Sequence, residues 1–181
     1  LYFYHMSRFH SYINTAIKLI ETFKGEKPLA IFLRQFFASN KKYGGKDRRN
    51  ITALCFNYYR LGFAGKGIPL EHKMVLATFL CDTEPSELLE YIKPEWNKKV
   101  TLSLNEKLAE IHPEFQLTDI FPFCTELSDG IETDGFLKSF LVQPDLFIRI
   151  RPQENAAVLK KLEQSNLSYH FVGENCGQLA V

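Results

Sequence analysis

The chain lacks any apolar stretch near the roughly 18 residues a membrane-spanning helix needs, so no helical span is expected. It shows no internal repeat and no low-complexity segment, and no signal peptide follows Met6. Leu1, Tyr2, Phe3, Tyr4 and His5 precede that methionine and read as the remnant of a cleavable purification tag, outside the fold argument. Cysteine is sparse. The four, at 55, 81, 124 and 176, are too widely spaced for a metal site or a redox pair. With apolar neighbours, they read as reduced core residues of a cytosolic protein. His10, His72, His112 and His170 share no ligand spacing, so no metal is assigned. No serine, histidine and aspartate stand in a nucleophile context, and Asp129, Glu132 and Asp134 read as a solvated acidic loop, which leaves no catalytic residue assigned.

Acidic residues are nearly missing from one region. Residues 7–67 carry twelve Lys/Arg against three Asp/Glu, and residues 68–181 carry ten against eighteen. Net charges of +9 and −8 therefore lie beneath an overall +1. A basic third joined to an acidic remainder points to a polyanionic partner, and nucleic acid fits best.

The organising stretch is residues 40–62, reading Asn-Lys-Lys-Tyr-Gly-Gly-Lys-Asp-Arg-Arg-Asn-Ile-Thr-Ala-Leu-Cys-Phe-Asn-Tyr-Tyr-Arg-Leu-Gly. Gly44 and Gly45 break the chain and a helix leaves from them. Ile51, Leu54, Cys55, Tyr58, Tyr59 and Leu61 recur at helical spacing as its buried face. Asp47 is placed to cap the helix N-terminus, where unpaired N–H groups and the dipole favour a carboxylate. Lys41, Lys42, Lys46, Arg48 and Arg49 put five cations beside that helix start, a natural place for phosphate. Arg34, Arg60 and Lys66 are outlying cations. Tyr43 either stacks on an unpaired base or packs against the helix start. A solvated helix end is the plainer reading of the same charge run.

Periodicity predicts helices over residues 9–23, 28–40, 46–62, from Pro69 onward, and over 86–91, 102–111 and 133–141. Residues 112–129 read as a loop with one turn near 117–121. The expectation is a compact bundle of six or seven helices over residues 6–142. At Pro144 the pattern changes. Residues 146–151 alternate like a half-buried strand, with Arg149 and Arg151 on one face as further contact candidates. A helix over 154–164, strands over 167–172 and 178–181, and an intervening turn complete a strand–helix–strand–strand order, the first half of a split βαβ. Residues 143–181 thus read as a partial ferredoxin-like subdomain, with more chain expected after Val181. The fold class is mostly α.

Two stretches together resemble a known family. Tyr43-Gly44-Gly45-Lys46-Asp47-Arg48-Arg49 resembles the Gly-Ser-Lys-Asp-Arg signature in the helical N-terminal domain of bacterial ribosomal-RNA cytosine-C5 methyltransferases of the Sun/Fmu type. Pro144-Asp145-Leu146-Phe147-Ile148-Arg149-Ile150-Arg151-Pro152 resembles the family's next landmark, Pro-Pro-Leu-x-Leu-Arg-Val-Asn. The resemblance implies an NusB-like RNA-binding bundle followed by the start of an RNA-recognition subdomain. It further implies that Asp47 pairs with an arginine. The glycine-rich loop for S-adenosylmethionine and the two catalytic cysteines are expected in a following C-terminal domain, since this chain holds no Pro-Cys dipeptide. The expected partners are structured RNA, in particular ribosomal RNA, with no preference for DNA, and that catalytic domain. The rival expectation is a helical protein–protein module whose basic face docks an acidic partner.

Overall fold

The computed structural model describes residues 2–111, 115–165, 168–173 and 176–179. They fall into two compact units, Leu1–Leu141 and Val142–Val181. In the first unit the described residues form α1 (Tyr2–Thr22), α2 (Leu29–Ser39), α3 (Gly45–Arg60), α4 (Leu70–Cys81), α5 (Glu87–Ile92), α6 (Pro94–Asn97), α7 (Leu104–Glu110) and α8 (Thr133–Ser139). Single 3-10 turns lie at Leu117–Ile120 and Cys124–Glu126.

The centre is α4. Met74, Val75, Leu76, Ala77, Thr78, Phe79, Leu80 and Cys81 are buried in succession, as a helix apolar on all sides requires. Around it α1 contributes Tyr12, Ile13, Ala16 and Leu19, α2 contributes Leu33 and Phe37, and α3 contributes Ile51, Leu54 and Cys55. Each fully buried large apolar side chain stabilises the fold by roughly 1.5–3 kcal/mol. Trp96 of α6 stacks on Phe79 at 4.9 Å with 20° between the rings.

Helix starts follow local chemistry. Pro28 and Pro69 sit at the N-cap positions of α2 and α4, one residue earlier than the first helical turn. The Ser86 side chain accepts the Leu89 N–H at 3.1 Å ahead of α5, and Ser103 with Glu106 forms a capping box at α7. The helix α6 was not expected. Pro94 reads in sequence as a stop, yet a proline at the first helical position has no N–H to lose and starts the next turn instead. After α3, Gly62 adopts φ +51, and a Cβ there would lie 2.2 Å from the Ile120 carbonyl oxygen. That carbonyl accepts the Phe63 N–H at 3.1 Å, which ties the α3 exit to the first 3-10 turn.

The second unit holds β1 (Leu146–Arg149), α9 (Asn155–Gln164), β2 (Tyr169–Gly173) and β3 (Cys176–Leu179). The sheet order is β1-β3-β2 with β3 antiparallel to both neighbours, so β1 and β2 run parallel on either side of it. β3 starts two residues before the expected 178. Gly177 reads as a turn residue, but it pairs with Ile148, whose Cγ1 lies 3.4 Å from where a Cβ would stand. The glycine belongs to the strand by this pairing, and a Cβ there would make only ordinary contact. The expected starting point of β2 at 167, parts of the expected turn at 174–175 and the end of β3 at 180–181 lie outside the described residues. β1 stops at Arg149, so Arg151 follows the strand rather than sharing its face. Ile150 between them is buried.

Candidate nucleic-acid interface

The N-terminus of α3 is built by Gly44 and Asp47. Gly44 occupies the cap position, and Asp47, third in the helix, accepts the Gly44 N–H on Oδ2 at 2.8 Å. This is the reciprocal half of a capping box, the half a glycine cap still allows. The other carboxylate oxygen accepts the hydroxyl of buried Tyr12 from α1. The Tyr12 hydrogen bond, with that from Gly44, holds the Asp47 carboxyl below its ordinary range. Burial, with the hydrogen bond to Asp47, pushes the Tyr12 hydroxyl up to about 12. Asp47 therefore fastens α3 to α1. Its two hydrogen bonds run to Tyr12 and Gly44, with the Arg8 charge acting on it nearby, where the family resemblance implied pairing with an arginine.

The five clustered cations separate into distinct situations. Lys41 and Arg49 are exposed and have no polar side-chain partner among the described residues. Arg48 donates Nε–H to the Tyr43 carbonyl at 2.8 Å and exposes the rest of its guanidinium. Lys46 meets both carboxylate oxygens of Glu87 on α5, at 2.9 and 2.8 Å, and Arg8 shares that carboxylate at 3.3 Å. Lys42 places its ammonium 5.1 Å from the centre of the Tyr43 ring. The Tyr43 ring also lies 5.8 Å from that of Phe36 and 5.7 Å from that of Phe37, with its hydroxyl 3.2 Å from Thr15 Oγ1. Tyr43 is thus a half-buried packing residue, and a base could reach only what Lys42 and the phenylalanines leave open. Arg34 and Lys66 are exposed, while Arg60 is half-buried beside Asp82. In the second unit Arg149 and Arg151 are both exposed, and Arg149 shares its strand face with exposed Phe147.

Between α1 and α2 lies an open groove of about 1020 Å³. Asn14 and Lys18 stand on the α1 wall, Lys27 at the connection, Gln35 on α2 and Lys42 at the far end. Leu19, Phe32, Phe36 and Tyr43 supply its apolar surface, and among the described residues no Asp or Glu lines it. Lys27 Nζ bonds Gln35 Oε1 at 2.6 Å across the turn. Of these, sequence reasoning named Lys42 and Tyr43 as site residues and passed over Asn14, Lys18, Lys27, Phe32, Gln35 and Phe36 in that role. The available signal was the polar stripe of α1 itself, where Ser11, Asn14, Lys18 and Thr22 recur at helical spacing opposite the apolar stripe.

Charge pairing distinguishes the basic stretch from the rest of the unit. Ten of the twelve Lys/Arg in residues 7–67 are exposed, Arg8 and Arg60 being half-buried. Among the described residues, Lys46 alone of those ten is in an ion pair. Further along, Lys93 pairs with Glu95, Lys99 with Glu110 and Lys138 with Asp134. Lys107 is buried and donates to the Asp82 carbonyl at 2.5 Å, closing the end of α4.

Cys55 and Cys81 are core residues with thiols pushed up to about 12 by burial. Cys124 and Cys176 are half-buried, so only part of the expected cysteine core is observed. Among the described residues no cluster of three or more His, Cys, Asp or Glu is arranged for a metal ion. No helix of the described residues is long and apolar enough to cross a membrane. No family model matches this chain, and no curated protein or solved structure matches it.

Proposed function

We propose that this chain is the RNA-binding N-terminal part of an S-adenosylmethionine-dependent ribosomal-RNA cytosine-C5 methyltransferase of the Sun/Fmu type. In this reading the helical unit is an NusB-like RNA-binding bundle and the β1–α9–β2–β3 unit is the first half of a ferredoxin-like RNA-recognition subdomain. S-adenosylmethionine and the catalytic cysteines belong to a domain outside these residues, and this chain binds without methylating. The working environment is the cytoplasm.

The observation that carries the RNA part is the unneutralised basic stretch. Ten exposed cations with a single ion pair among them produce a surface that gains most from a polyanion, through release of its condensed counterions. The resemblance of the 43–49 and 144–152 segments supplies the class of enzyme.

The test is binding of the chain to structured ribosomal-RNA hairpins across a salt series. The comparison is Lys41→Ala/Arg49→Ala, which removes two cations without touching an internal bond. Wild-type affinity should fall steeply with salt, and the variant should bind more weakly with a log–log salt slope smaller by about 1.5. Equal, salt-insensitive binding by both proteins would refute the reading. Tighter salt-sensitive binding to an acidic polypeptide than to RNA would favour protein docking instead.

A further inference from the structure

The groove between α1 and α2 differs from the rest of the basic surface, because it adds uncharged hydrogen-bonding groups to the cations. Lys18, Lys27 and Lys42 are spaced along it, and Asn14 and Gln35 project from opposite walls. An amide side chain carries both donor and acceptor, the complement of a base edge rather than of a phosphate. Lys27 already occupies the Gln35 oxygen, which leaves the Gln35 amino group available as a donor. Asn14 is exposed, with no side-chain partner among the described residues. Among the described residues no carboxylate lines the groove to oppose an anionic backbone. Phe32, Phe36 and Tyr43 offer apolar surface for a base to pack against.

Length favours a strand over a mononucleotide. From Ser11 to Thr22 the α1 wall runs about 16 Å at 1.5 Å per residue, room for a few stacked nucleotides at roughly 3.4 Å each. A concave site offering amide groups to base edges also suits unpaired RNA better than an A-form duplex, whose deep major groove hides those edges.

We propose that the α1–α2 groove is a binding site for a short single-stranded RNA segment, with Lys18, Lys27 and Lys42 meeting its phosphates and Asn14 and Gln35 reading its bases. This inference rests on the RNA-binding reading above and adds the site and the form of RNA it takes.

The experiment measures binding of the full chain to a mixed-sequence single-stranded 12-nucleotide RNA and to the same strand annealed to its complement. Both are repeated with Asn14→Ala/Gln35→Ala, Lys18→Ala/Lys42→Ala and Lys41→Ala/Arg49→Ala. The substituted groove residues Asn14, Lys18, Gln35 and Lys42 are exposed and lie outside the core, and equal Tm among the variants is the check on folding. Wild type should prefer the single strand. The amide variant should lose about tenfold in single-strand affinity with its salt slope unchanged, and the Lys18/Lys42 variant should lose both affinity and slope. If the amide variant binds the single strand like wild type while Lys41→Ala/Arg49→Ala weakens binding, the groove assignment is wrong and the RNA reading stands. A preference for the duplex likewise overturns the groove. Absence of any RNA binding overturns both.

Discussion

Asp47 does two jobs with one carboxylate, and both are local. It completes the start of α3 through the Gly44 N–H and binds α1 through the Tyr12 hydroxyl. Asp47→Asn keeps the shape but loses the charge-assisted bonds, and should cost about 1–2 kcal/mol in urea unfolding. The pH dependence has a definite sign. Asp47 is held below its ordinary value, so its contribution is complete above about pH 4, the unfolded value, and disappears as the pH falls through the folded one. The stability difference between wild type and Asp47→Asn should therefore shrink on acidification from about pH 5 to pH 3. Tyr12 works in the opposite window. Raised to about 12, it favours the neutral phenol, and stability should fall as the pH climbs past about 10. Tyr12→Phe should flatten that fall in part, since Tyr59 is raised by burial as well. Sequence alone located Asp47 at the helix start because a carboxylate there answers a purely local need. It could not show Tyr12 as the partner, because that bond spans 35 positions and depends on how α1 crosses α3.

At the scale of elements, helices with apolar stripes or local start signals were legible, namely α1, α2, α3, α4, α5, α7, α8 and α9. What sequence obscured were short pieces whose identity depends on neighbours: α6, opened by a proline that usually closes, and β3, which begins on residues that read as a turn. The groove was hidden for a different reason. Its walls belong to two helices, and Asn14 or Gln35 taken singly is an ordinary surface amide. The junction after α3 offers an element-level test. Gly62→Ala forces a side chain onto the Ile120 carbonyl in a left-handed backbone conformation, and should destabilise by roughly 2–4 kcal/mol. Calorimetry on the purified variant would show it as a lowered Tm, and an unchanged Tm would mean that the 3-10 turn at Leu117–Ile120 moves aside.

On the scale of the whole molecule, both charged stretches lie largely within the unit Leu1–Leu141, while residues 142–181 carry four Lys/Arg and four Asp/Glu. A chain ending after Leu141 retains every residue of the main buried core. It should keep a cooperative thermal transition within a few degrees of the full chain, by circular dichroism at 222 nm. A broad, non-cooperative melt would show that the second unit is required for folding of the first. The charge segregation was legible by counting, since charge needs no fold to be summed; how many of those cations stay unpaired required the structure. A protein with an isoelectric point near 7.8 would ordinarily pass through ion exchangers near neutral pH. This one presents unpaired cations from one stretch and an acidic excess from another, and a resin responds to the patch it touches rather than to the sum. At neutral pH and low salt it should therefore be retained by cation and anion exchangers alike.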